Sequence, residues 1–241
     1  TQQNGRFFGK FLPFIGSISF REEGVLTTKS DYPNYWISRT YDTYTHEGWI
    51  SGETNTIDIR KNSNFDNTKG LKSTKPVKQL MQMSFPSDQF FAGGSISSVS
   101  EPVELESLKP KSFKLSIGDD IVDKSIPEDL QMFELELENF FLENPGGIKY
   151  GRYGNFLDNN LPKEYKYVNT TSSKNDTEII NLVREMPPNL DIVDWNLSRQ
   201  IPANKKLTMV SHVSVSTPED LKNSSQEYHG FIKDHYLDLP E

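Results

Sequence analysis

The 241 residues contain no cysteine, so this chain holds no disulfide framework, thiolate metal site or cysteine nucleophile. No apolar run approaches the roughly 20 residues that cross a bilayer. The opening Thr1, Gln2, Gln3, Asn4, Gly5 and Arg6 lack the apolar stretch of a secretion signal. Because the first residue is Thr rather than Met, the chain is read as a segment of a longer protein. Positive charge is scarce as well: 26 Lys and Arg stand against 34 Asp and Glu, giving a formal charge of −8 with no basic stripe. Such a chain repels phosphate backbones, so nucleic acid is not an expected partner. The acidity is read as serving solubility. Catalytic signatures are missing too: there is no G-x-S-x-G elbow, P-loop or G-x-G-x-x-G. Gly151-Arg152-Tyr153-Gly154 shares only its glycines with a phosphate loop.

What is present is bulk and alternation. Hydrophobic residues make up 34% of the chain and the mean hydropathy is −0.64, yet 15 Phe, 10 Tyr and 3 Trp supply large packing groups. A folded protein with long polar loops is expected, as one large β domain or two smaller ones. Period-2 patterns predict strands at 56–60, 103–106, 113–117 and 207–215. Phe133, Leu135 and Leu137 alternate with Glu134, Glu136 and Glu138 and are read the same way, against the helical preference of Leu and Glu. Turn-rich stretches fall at 61–74, 145–147, 153–162 and 169–176. Thr217 as N-cap, Pro218 at the first position and acidic Glu219 and Asp220 predict a helix over about 218–235. Leu221, Tyr228 and Ile232 would form its packed stripe. The fold class is therefore mainly β, an antiparallel β-sandwich-like architecture with long loops and a C-terminal α-helix. Residues 1–20 are read as a leader, 21–217 as the β-rich domain, and 218–241 as helix and exit linker.

Candidate chemistry is thin. The four histidines, at 46, 212, 229 and 235, have no paired metal-ligand spacing, and no metal or other cofactor is expected. Asn62, Asn64 and Asp66 have calcium-loop spacing, but Asn67 and Ser73 stand where glycine and a bidentate Glu belong. Asp119, Asp120 and Asp123 read as a solvated turn, and the sequons at Asn169, Asn175, Asn196 and Asn223 as surface positions. The densest feature is an aromatic box over 32–49. Its candidate binding residues are Tyr35, Trp36, Arg39, Tyr41, Asp42, Tyr44 and Trp49. As a binding surface it would stack sugar or peptide. The favoured reading makes it core, with aromatics on a hairpin packed under a neighbouring sheet and Asp42 and Arg39 fixing the turn.

Tyr35-Trp36 followed by Tyr41-Asp42-x-Tyr44-Thr45-x-x-Gly48-Trp49 resembles a stretch in the outer region of bacterial and archaeal membrane proteins with a transglutaminase-like core. Tyr228-x(7)-Tyr236-Leu237-Asp238-Leu239-Pro240 is similar to the segment that family carries just before its core. Phe90-Phe91-Ala92-Gly93-Gly94 and Val213-Ser214-Val215-Ser216-Thr217 with Leu221 fit in the same order, while 110–205 is weakly matched. Ile37 stands where the family usually has Arg, His46 where it often has Gly, and Asp238 where it has Gln. The resemblance implies a parent anchored by N-terminal membrane helices, this region on the extracytoplasmic face, and a papain-like core using Cys, His and Asp to follow. On that reading the chain is non-catalytic. It binds or positions, and its partner is the transglutaminase-like core of the same polypeptide, with a cell-surface protein or cell-wall polymer as a further candidate. The alternatives are a self-sufficient carboxylate-based hydrolase of cell-surface polysaccharide and a cell-surface adhesion domain.

Overall fold

The computed structural model describes residues 9–14, 24–65, 67–68, 71–117, 126–144, 150–172 and 178–237. In chain order the elements begin with β1 (Phe11–Pro13), β2 (Leu26–Ser30), β3 (Thr43–Thr45), β4 (Gly48–Ile50), β5 (Thr54–Ile59), β6 (Thr74–Met83) and β7 (Ser87–Gln89). There follow β8 (Ser95–Val99), β9 (Val103–Leu108), β10 (Ser112–Ile117), α1 (Glu128–Glu143), α2 (Tyr150–Asn160), β11 (Tyr165–Ser172) and β12 (Glu178–Arg184). The last are β13 (Ile192–Ile201), β14 (Lys206–Ser214), α3 (Pro218–Lys222), α4 (Gly230–Ile232) and a π-helical turn, Lys233–Leu237. Among the described residues no helix is long and apolar enough to cross a membrane. The chain divides into two compact units. The first takes Thr1–Lys109, Pro187–Tyr228 and His235–Glu241, the second Pro110–Met186 and His229–Asp234.

The first unit is a sandwich of two antiparallel four-stranded sheets, β2-β6-β14-β8 and β5-β9-β13-β7. Alternation builds it: Val77, Gln79, Met81 and Met83 of β6 point inward, as do Leu207, Met209, Ser211 and Val213 of β14. Their inner faces meet Ile59, Val103, Leu105, Trp195 and Leu197 of the second sheet in one apolar cluster around Phe90. The predicted strands at 56–60, 103–106 and 207–215 correspond to β5, β9 and β14. A small third sheet, β1-β4-β3, belongs to the same unit.

The second unit packs α1 and α2 with a three-stranded antiparallel sheet, β10-β12-β11. Here three expectations fail, one of them at 169–172, read as turn but forming the end of β11. Residues 133–138 are helix, not strand: Leu130, Phe133, Glu134 and Leu137 are buried at helical spacing, while Leu135 is exposed. The short alternation is a slice of a longer 3.6-residue pattern. Residues 153–160, expected as turn, lie in α2, although Gly, Asn and Asp are poor helix formers. Packing overrides propensity. Tyr153 and Leu157 are buried, and Phe156 stacks on Phe133 and Phe140 at centroid distances of 6.1 and 4.7 Å.

The C-terminal helix is shorter than expected. Thr217 and Asp220 form the reciprocal capping box, but α3 ends at Lys222. Beyond it Ser224 donates its hydroxyl to Leu221 O, and the Ser225 hydroxyl accepts from the Glu227 N–H. These side chains compete for the backbone groups a helix would use. Residues 221–228 are all exposed, so Leu221 and Tyr228 share no packed stripe. The apolar anchor is Phe231, fully buried.

Candidate functional site

Box residues 37–40 run beside the end of β13. Ile37 bridges Ala92, Thr40 N–H donates to Val193 O, and Trp195 N–H donates to Ser38 O. A bulge between Ile192 and Asp194 leaves Val193, Asp194 and Trp195 all buried in succession. Asp194 is thereby turned inward, where Arg39 meets it in an ion pair whose two side chains are almost wholly buried. Burial pushes the Asp194 carboxyl up, against Arg39, the Asn196 amide and the Trp195 N–H. Arg39 thus reaches a partner far along the chain, while its Nη1 also donates to the nearby Ser51 hydroxyl at 3.3 Å.

Asp42 accepts from the Gly52 N–H at 2.7 Å and from the Thr43 hydroxyl at 3.2 Å. Its other contact is the Nδ1 of His235, 3.4 Å away, while His235 Nε2 lies 3.0 Å from Lys109 O. Both of these partners are acceptors, so each bond is made when that ring nitrogen carries a proton. Burial would raise the Asp42 carboxyl, but the His235, Gly52 and Thr43 hydrogen bonds and the His235 charge outweigh it and hold it below the usual range. Next along the chain, the Tyr236 hydroxyl donates to Asp191 at 2.5 Å. Burial pushes the Asp191 carboxyl up, opposed by Tyr236 and the His235 charge. Burial and then Asp191 push the Tyr236 hydroxyl up in turn. In this unit, therefore, two stretches singled out in the sequence, around 42 and around 236, close on each other.

In the second unit, Arg184 at the end of β12 gathers a comparable set of contacts. Its Nε and Nη2 grip Asp234 at 2.8 and 3.0 Å, and Nη1 stands 3.4 Å from Glu164. The guanidinium lies over the Tyr165 ring, 4.1 Å from its centroid. Glu164 also accepts from the Gly230 N–H at 2.8 Å. A Cβ at position 230 would collide with the Glu164 carboxylate and the Arg184 guanidinium, which explains glycine there. Nothing local in the sequence marked Arg184, Asp191, Asp194 or Asp234.

The remaining box aromatics do not form the expected core. Trp36 is half-buried against the sandwich cluster. Tyr35 is 91% exposed, and Tyr44 and Trp49 stand on the surface of the small sheet. Tyr41 donates its hydroxyl to Gly9 O. Trp36→Ala should therefore cost about 2–3 kcal/mol, below a fully buried Trp, and Trp49→Ala under about 1. Denaturant midpoints check this; equal losses would contradict the division.

A cleft of about 280 Å³ in the first unit is lined by Ile37, Phe65, Leu105, Ile192 and Trp195, with Asn67 and Asp191 among its polar groups. Two of its polar groups are occupied: the Asn67 amide bonds both backbone groups of Leu190, and Asp191 holds Tyr236. Among the described residues no three His, Asp or Glu side chains gather in a metal-holding group. In the 62–66 loop, Asn64 accepts from the Ser97 hydroxyl, and Asp66 lies outside the described residues. So do Asp119, Asp120, Asp123, Asn175 and the 145–147 turn. Comparison with protein-family models, with curated proteins and with solved structures found no match.

Proposed function

We propose that this chain is a non-catalytic positioning module on the extracytoplasmic face of a membrane-anchored, transglutaminase-like protein, and that its C-terminal segment leads into the catalytic core. The observation that carries the reading is the pairing of His235 and Tyr236 with Asp42 and Asp191. Those bonds give a segment of poor helical propensity a fixed course where a flexible linker would have none. The box residues Arg39 and Asp42 spend most of their polar groups on the fold, Arg39 on Asp194 and Ser51 and Asp42 on Gly52, Thr43 and His235. A cysteine nucleophile must come from elsewhere in the polypeptide.

The test compares the 241-residue chain with one extended by roughly 100 further residues of its own gene product, about one small domain. The short chain should neither join glutaminyl peptides to amines nor cleave peptides. The extension should contain Cys, then His, then Asp. Turnover by the short chain, or an extension without cysteine, contradicts the proposal.

A further inference from the structure

Among the described residues, nothing covers one face of the small sheet β1-β4-β3. Its register sets Leu12 opposite Trp49, and Trp49 opposite Tyr44. Side chains directly opposite across strands share a face. Phe14 extends the row, its ring centroid 5.5 Å from that of Tyr44, which lies 5.2 Å from Trp49. All four are exposed: 40% for Leu12, 52% for Phe14, 39% for Tyr44 and 36% for Trp49. A contiguous aromatic patch of this kind marks a contact surface.

Charge and ring geometry select the occupant. Residues 1–21, which contain β1, carry Arg6, Lys10 and Arg21 and no acidic residue, a formal +3, so the rest of the chain carries −11. A sequence segment that is apolar and basic, within an otherwise acidic chain, complements an anionic lipid surface. A sugar chain lies flat on aromatic faces turned the same way. Here the Phe14 and Tyr44 planes are inclined by 43°, and Tyr44 meets Trp49 edge-on at 75°. A headgroup layer makes no such demand, and Trp and Tyr, apolar bodies with one polar atom, concentrate there.

We propose that this face contacts a membrane, with Leu12, Phe14, Tyr44 and Trp49 set into the headgroup layer of an anionic bilayer. The inference deepens the reading of a membrane-side module and rests on it. Lys10 is exposed at the edge of the sheet, 3.8 Å from Glu106. At the hairpin tip Glu47 opposes the approach, and His46, 3.6 Å away, offsets it when protonated.

Vesicles of phosphatidylcholine and phosphatidylglycerol at roughly 3:1 should sediment the chain at low salt, and less so at high salt. Pure phosphatidylcholine should sediment less. The triple variant Phe14→Ser, Tyr44→Ser, Trp49→Ser should lower partitioning about tenfold or more. Should that variant fold poorly, hydrogen exchange on the unaltered chain decides: vesicles should slow amides 43–50 and leave β6 and β14 unchanged. No sedimentation with either vesicle overturns the proposal, as does sedimentation that the folded variant retains. Binding of a cell-wall saccharide or self-association through this face, in a chain that ignores vesicles, overturns it too. Equal binding to both vesicles overturns the choice of an anionic surface. None of these outcomes alters the exchange of amides 230–237, which tests the positioning module separately.

Discussion

Arg184→Ala should destabilise the second unit by about 3–5 kcal/mol, the cost of leaving a buried charge without its partner. The Arg184 side chain is 4% exposed and that of Asp234 8%, so water cannot replace the lost bidentate bond. Glu164 would keep only the Gly230 N–H. Arg184→Lys should recover little, because an ammonium cannot make two parallel bonds to Asp234 while lying over Tyr165. All three tryptophans, Trp36, Trp49 and Trp195, belong to the first unit, whereas α1 and α2 belong to the second. The far-ultraviolet helix signal therefore follows this variant. A denaturation midpoint within about 1 kcal/mol of the unaltered chain would show that Arg184 is better solvated than its burial implies.

Arg39→Ala should have a comparable effect in the first unit, again about 3–5 kcal/mol and toward the lower end. Its Nε has no hydrogen-bond partner among the described residues, so the native pair already carries an unmet donor. Removing the guanidinium leaves the Asp194 carboxylate buried, with the Trp195 N–H at 3.0 Å and the Asn196 amide at 2.7 Å as its remaining donors. The double variant Arg39→Met, Asp194→Asn removes both charges and should recover most of the loss, since an uncharged pair has little to desolvate. Tryptophan fluorescence follows both, because Trp195 adjoins Asp194 in the chain. A double variant no better than the single would mean that Arg39 acts through packing rather than charge.

Three strands of the sandwich were legible in the sequence because they are half-buried. In β5, β9 and β14 one face meets the core and the other meets water, and period 2 follows from that. The second unit was legible only at β10, where the alternation of 113–117 holds. Leu135 alternates with glutamates only by accident of a window too short to show Leu130 and Phe140, and α2 is held by Tyr153, Phe156 and Leu157 against the preference of its own glycines and asparagines. The candidate site was half legible. Asp42 and Tyr236 stood out in motifs, but Asp42 and His235 are 193 residues apart, and no local pattern announces a pairing over that distance. Asp194 faces inward because of a bulge, which shifts a strand's pattern by one residue and hides it from a periodicity count. The cap at Thr217 was read as the start of a long helix because capping determines where a helix begins, not how far it runs. Its end was written in Asn223, Ser224 and Ser225.

The central claim is that the segment ending in the π-helical turn is held in place, and amide hydrogen exchange at residues 230–237 tests it most directly. Protection approaching that of β6 and β14 is the predicted result, with a marked loss at 235–237 in Asp42→Ala. Exchange of 230–237 at random-coil rates in the unaltered chain would contradict the account.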